Sequence, residues 1–460
     1  MGTATSDPDL IHGTYSLYEA MHLMHVFIGR FDLQVPLLTV LVGAGAVVAA
    51  SFGLIYLLPA RAEKSDDDRS VVPRPVVMLL QTSALAYIAF LVVVGLFGRQ
   101  ATVLNSAVIL FWVISLPVLP LLHCVVGGMY EVANPFALLA RLVTSGESAR
   151  KQSDPRLEKL GYWPAVVQMF LLFWFELAFR VVPSSPRALA VLALVYTLVQ
   201  VAMGAWLGEG WYQGGDVFQA MTTLASTLAG VAMRRDRQGF VRLRTGFRPA
   251  RFLPEAPGRE ALITIWLAGV LADGVRVTPI WRFVLDHTTS MTNFGSLGAV
   301  DVGDLTRDTA EILFTWLAFG IFFWTFTRLA AALCGRDPKE LARVVSPSLV
   351  PIALAYLFAH NLTQLMVVGP LVASPADVAT AEFQVSINSH SVAPAMVFWI
   401  QVTAIVLGHV VAVVMAHARL ARVEKNGAIA IRGDLGWLAA MVLYTGTSLW
   451  VLAQPITNGG

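Results

Sequence analysis

The sequence predicts an all-α membrane protein, a polytopic transmembrane helical bundle of about ten spans, and three observations carry that expectation. Apolar residues make up 56% of the 460-residue chain and charged residues only 13%, whereas soluble domains carry about 25% charge. The apolar residues fall in long unbroken runs, and the mean hydropathy is +0.67. When those runs are laid end to end across a bilayer, twenty-four Lys and Arg fall in the odd-numbered loops and five in the even-numbered loops and N-terminal segment.

A helix needs roughly 20 apolar residues to cross the hydrocarbon, where every backbone polar group must be satisfied internally. Ten runs meet that need: 35–59, 76–97, 104–124, 162–182, 187–207, 261–281, 309–333, 347–370, 393–415 and 436–454. Prolines stand at several boundaries (Pro36, Pro59, Pro75, Pro347, Pro370 and Pro394), where a helix starts or stops at least cost. The basic excess in the loops after spans 1, 3, 5, 7 and 9 puts those loops in the cytoplasm and both termini outside it. The first thirty residues include Asp7, Asp9 and Glu19 and lack a basic region followed by an apolar core. Residues 1–34 are thus expected to be an extracytoplasmic segment, 35–455 the bundle, and the first run its own export signal. A net charge of +2 gives no reason to expect a nucleic-acid partner. Cys124 and Cys334 both sit at expected cytoplasmic helix ends, which argues against a disulfide framework.

Two cytoplasmic segments, 128–144 and 216–233, read as amphipathic, lying at the interface or capping the bundle. The polar stretch 372–392 reads as an outer loop. Two inverted five-helix halves fit the span count but have no support in the sequence.

Ionisable residues inside a bilayer are costly, so they are the best pointers to function. Span 4 carries Glu176 and Arg180, an i,i+4 pair on one face. Span 6 carries Asp273-Gly274 and Arg276, an i,i+3 pair. Span 8 holds His360-Asn361, with Thr363 and Gln364. Span 9 holds Gln401, Thr403 and His409, and ends near His417. His123 closes span 3. Glu311 and His417 lie near the interfaces and are expected to be hydrated. Each of these has an ordinary structural alternative: pairs that only neutralise each other, or a neutral His bonded to a carbonyl.

Three functional constellations compete. Glu176, Asp273, His360 and His409 could form a polar pathway for ion-coupled transport, with helix breaks at Gly208-Glu209-Gly210, Gly214-Gly215-Asp216, Pro117 and Pro120. Metal or haem binding is the second: His360 and His409 lie on sequential antiparallel spans, while Met21, His22 and His25 share one helical face and suit copper. An amphipathic surface helix anchored by Tyr15, Leu17, Tyr18 and Phe27 is the preferred reading of that N-terminal cluster. The third is hydrolysis at an embedded site, for which no nucleophile elbow, P-loop or metalloprotease helix is present.

Several phrases resemble a family of bacterial multi-pass proteins known as fenitrothion hydrolases: Glu131-Val-Ala-Asn134-Pro135-Phe136, Gly161-Tyr162-Trp163-Pro164 with Glu176 downstream, Gly215-Asp216-Val-Phe218, Asp273-Gly274 before Thr278-Pro279, Ala359-His360, Gly408-His409 and Ala416-His417. The resemblance implies a bacterial membrane protein and organophosphate ester hydrolysis, and brings no catalytic residues with it. The residues also explain themselves locally. Asn134-Pro135 is a helix start, and Gly161-Tyr162-Trp163-Pro164 an aromatic belt before a helix-opening proline. The expected protein is a permease or ion-coupled transporter of a small solute in the bacterial cytoplasmic membrane. The alternatives are an embedded, metal-dependent hydrolase, or an accessory subunit docking other membrane subunits through its Arg-rich loop at 234–251.

Overall fold

The computed structural model describes residues 36–57, 68–100, 105–147, 154–179, 181, 185–236, 239–245, 255–288, 295–297, 300–367, 394–423 and 427–457. The N-terminal cluster Met21, His22 and His25, the stretch 372–392 and Arg180 lie outside them. The chain is a helical bundle: α1 (Leu37–Leu57), α2 (Arg74–Phe97), α3 (Ser106–His123), α4 (Met129–Ala133), α5 (Pro135–Val143), α6 (Trp163–Leu177), α7 (Pro186–Leu207), α8 (Trp211–Gly215), α9 (Val217–Ala225), α10 (Arg259–Arg276), α11 (Pro279–Thr288), α12 (Val302–Cys334), α13 (Val350–Val367), α14 (Pro394–Val423) and α15 (Gly427–Thr457). Among the described residues seven helices, five of them α2, α3, α7, α12 and α13 with its lead-in helix Pro338–Val345, and two within α14 and α15, are long and apolar enough to cross a membrane. The other three expected spans are less regular. Helices α10 and α11 form a pair bent by 73°, and α1 and α6 are shorter apolar helices.

Proline and glycine account for the irregularities. Pro117 has no N–H to close the preceding turn, and residues Phe111–Val118 of α3 are wound as a wide π-helix. Asp273-Gly274 and Thr278-Pro279 mark the bend between α10 and α11.

The expected all-α chain also carries a small four-stranded sheet, ordered β1-β4-β3-β2. Its strands are β1 (Asp68–Val71), β2 (Val126–Gly127), β3 (Val231–Arg235) and β4 (Val241–Thr245). Strands β3 and β4 are an antiparallel hairpin, closed by Asp236, which accepts from the Phe240 N–H at 2.9 Å and from Arg242 Nε at 2.7 Å. Val241 is buried with Val72 and Val132, and Met233 and Leu243 pack on them. The basic run thus lies on a hairpin that alternates with period two. Because β1, β2 and the hairpin come from three different odd-numbered loops, their pairing places those loops on one face of the bundle.

The second expected interfacial segment, 216–233, is corrected. Helix α9 is buried at Val217, Gln219, Ala220, Met221, Thr222, Leu224 and Ala225. With its apolar side packed in the core and buried Gln219 and Thr222 hydrogen-bonded, α9 does not lie at the interface but plugs the bundle from the loop face. The first segment does have one buried face (Phe136, Ala137, Ala140) and exposed Leu142 and Val143.

Candidate functional site

Helices α6 and α10 both run away from the loop face, and a glycine sets how closely they pack. A Cβ on Gly269 would run into the Phe173 ring, so the bare backbone lets α10 settle against α6. One turn further along each helix stand Asp273 and Glu176, four residues past Gly269 and three past Phe173. Both line one small cavity of about 30 Å³, together with His360 and Asn361 of α13 and with Leu116, Phe173, Met221 and Trp266. That volume is roughly one water's share of the liquid. Gly274 serves packing on its other side, where a Cβ would stand 2.5 Å from Cγ1 of Val451. The Asp273-Gly274 pair thus combines a cavity acid with a close-packing glycine.

Polar side chains reach this mostly apolar cavity from α6, α10 and α13. Asn361 Nδ2 donates to the Leu357 carbonyl at 2.8 Å, and the buried indole N–H of Trp266 has no partner. Asp273 lies within electrostatic reach of Glu176, Arg276 and Glu311.

Arg276 has its expected partner Asp273 within electrostatic reach on the same helix, and its hydrogen bonds cross to neighbouring helices. Nε donates to Glu311 Oε2 at 2.9 Å, Nη2 lies 3.4 Å from Asp308, and Nη2 donates to the Leu177 carbonyl beside Glu176. Glu311, expected to be hydrated, is fully buried instead, because Arg276 supplies the counter-charge that water would otherwise provide. Asp273, Asp308 and Glu311 thus lie within electrostatic reach of this guanidinium, and Glu176 stands beside Asp273.

His409 is not brought to the cavity. Its Nδ1 donates to the Ile405 carbonyl at 2.8 Å, its ring lies 5.4 Å from that of Tyr444, and its buried Nε2 has no partner. The Nδ1 bond fixes the neutral tautomer and matches the structural alternative. His417 bonds Asp434 at 2.7 Å. Among the described residues no three His, Cys, Asp or Glu side chains stand close enough to hold a metal ion.

A second polar network lies on the loop side of the cavity. Asp216, fully buried, caps α9 by accepting from the Phe218 and Gln219 N–H groups at 3.0 and 3.4 Å. It also accepts from Tyr196 at 2.9 Å, Asn134 at 2.9 Å and Tyr130 at 3.2 Å. Burial pushes this carboxyl up to about 6, against the lowering effect of its hydrogen bonds. Gln168 and Gln200 tie α6 and α7 to the Gly215 carbonyl at 2.6 and 2.8 Å, and Trp211 donates to Gln200 at 2.8 Å. Asn134 caps α5 as expected. Gly214 packs against the Gly161 carbonyl, and Tyr162 N–H bonds Pro257 O at 2.7 Å. Tyr162 is buried while Trp163 is exposed, so only the tryptophan belongs to an aromatic belt.

Sequence reasoning passed over Gln168, Gln200 and Tyr196, although two glutamines in apolar runs are themselves a signal. Comparison of the chain with family models, curated proteins and solved structures finds no match to any of them.

Proposed function

We propose that this membrane protein is a permease or ion-coupled transporter of a small solute, with a proton or small cation as the coupling species. The reading rests on one observation, the meeting of Glu176, Asp273, His360 and Asn361 from three helices at a single cavity. Among the described residues three acids, Asp273, Asp308 and Glu311, stand within electrostatic reach of the one guanidinium of Arg276, with Glu176 beside Asp273, so carboxylates outnumber it in a low-dielectric interior. Such an excess is offset by taking up a proton or a cation, which is the chemistry of a coupling site. Asp273 is the switch residue, central to both the cavity and the Arg276 cluster. Asn361 and His360 orient what enters. The water-sized volume corresponds to a closed state, sealed on the loop side by Met221 of α9 and by the Asp216 network. The basic loops support a cytoplasmic location for that side, with both termini outside.

The embedded hydrolase implied by the family resemblance would use the same acids and imidazole. It has less behind it, since no group of three metal-ligating side chains stands at the cavity among the described residues.

The test is electrical. Proteoliposomes on a solid-supported membrane are exposed to jumps of amino acids, sugars and inorganic ions, and transient currents are recorded. Wild type gives a solute-dependent current. Asp273→Asn inserts and purifies normally and gives none. An unaltered current in that variant removes the proposal's main support.

A further inference from the structure

A second concave feature lies on the outside of the bundle, between α10 and α12. It is a groove of about 850 Å³, and its lining is overwhelmingly apolar. Its wall is built from Leu317 and Ile321, which are 64% and 58% exposed on a helix long and apolar enough to cross a membrane. At its centre Gly320 is bare, and a Cβ there would meet nothing within 4 Å. The floor needs no solvent, because Trp316 donates to Thr264 at 3.2 Å. Polar groups gather at one end only, the end on the loop face, where Trp163, Glu260 and Arg328 line the groove. Glu260 is ion-paired with Arg259 at 3.1 Å, whereas exposed Arg328 has no carboxylate partner among the described residues.

We propose that this groove binds one acyl chain of an anionic phospholipid, with Arg328 at its phosphate. The dimensions agree: from Leu313 to Arg328 α12 rises about 22 Å, enough for one leaflet's half of a roughly 30 Å hydrocarbon core plus the headgroup layer. The charge agrees too. Arg328, unpaired among the described residues, lies at headgroup depth on the face that carries the basic loops, where an anionic leaflet is attracted. The Trp163 ring stands at the same level, as interfacial tryptophans do.

The purified, delipidated full-length protein is titrated with phosphatidylglycerol or phosphatidylcholine in mixed micelles, and bound lipid is counted by native mass spectrometry. Wild type should prefer phosphatidylglycerol by roughly fivefold, the factor one juxtamembrane arginine is worth. Arg328→Gln should abolish that preference and keep phosphatidylcholine binding. Gly320→Leu, which fills the groove, should lose both lipids. Equal wild-type binding of the two lipids, or phosphatidylglycerol binding that survives Gly320→Leu, overturns the assignment. The variants act at different points of the groove, so if either fails to fold, the other decides.

Discussion

A carboxylate buried without a cation must be satisfied by donors, and Asp216 gathers five: two amides of its own helix cap, two tyrosine hydroxyls and the Asn134 amide. Burial still wins, and the carboxyl is pushed up to about 6. The consequence for stability has a definite sign. The folded state holds a proton that the unfolded chain releases nearer pH 4, so between those values the native state binds more protons and stability falls as pH rises. Below the unfolded value the contribution is fully present, and above pH 6 it is gone. Thermal melts of the detergent-solubilised protein should show this loss between pH 4 and 6, at up to about 1.4 kcal/mol per pH unit. Asp216→Asn, which cannot titrate, should lack that component. A variant with the same slope as wild type would show that other groups carry it. Little of this was legible in the sequence. Gly214-Gly215-Asp216 reads only as a helix break, and Tyr196, Asn134 and Tyr130 come from three other elements, and no spacing rule links them. The cross-helix partners of Arg276 were missed for the same reason. The i,i+3 rule sees only one helix, and the stronger partners, Glu311 and Asp308, are on the next.

Among the helices, small residues decide which surfaces can meet. Without a hydrophobic drive between helices in lipid, close packing at glycine is a main source of association, and the cavity depends on one such contact. At Gly269 any side chain meets the Phe173 ring, whereas at Gly446 of α15 a Cβ meets nothing within 4 Å. The same substitution should therefore change sign between them. Gly446→Ala should raise stability by about 0.5–1 kcal/mol through the lost flexibility of glycine. Gly269→Ala should lower it by about 1–3 kcal/mol through overpacking and push Asp273 away from Glu176. Paired melting curves check this, and a stabilised Gly269→Ala would show that α6 and α10 are not held at that point. Helix positions were readable from apolar run length alone. The hairpin β3–β4 was not, because Val241-Arg-Leu-Arg-Thr alternates with period two, yet its arginines read as a run of topology charges.

On the scale of the whole molecule, the charge pattern and the sheet are independent witnesses to topology. Lys and Arg counts give an absolute orientation through the positive-inside rule. The pairing of β1 with β4 and of β3 with β2 gives a relative one, since backbone strands cannot hydrogen-bond across a bilayer. The two can be separated by labelling single cysteines on intact cells with a membrane-impermeant maleimide, with Cys124 and Cys334 replaced by serine. Ser70 and Phe240 lie exposed on the sheet and its turn, and Gln100 and Asp304 are exposed at the opposite ends of the spans. Cysteines at 70 and 240 must behave alike, and those at 100 and 304 must behave as the other set, whichever way the protein is inserted. The basic loops add that 100 and 304 react from outside while 70 and 240 react only after permeabilisation. A reversal of both sets would overturn the orientation and leave the fold intact. A split between 70 and 240 would break the sheet that ties three loops together, and with it the placement of α9 beneath the cavity.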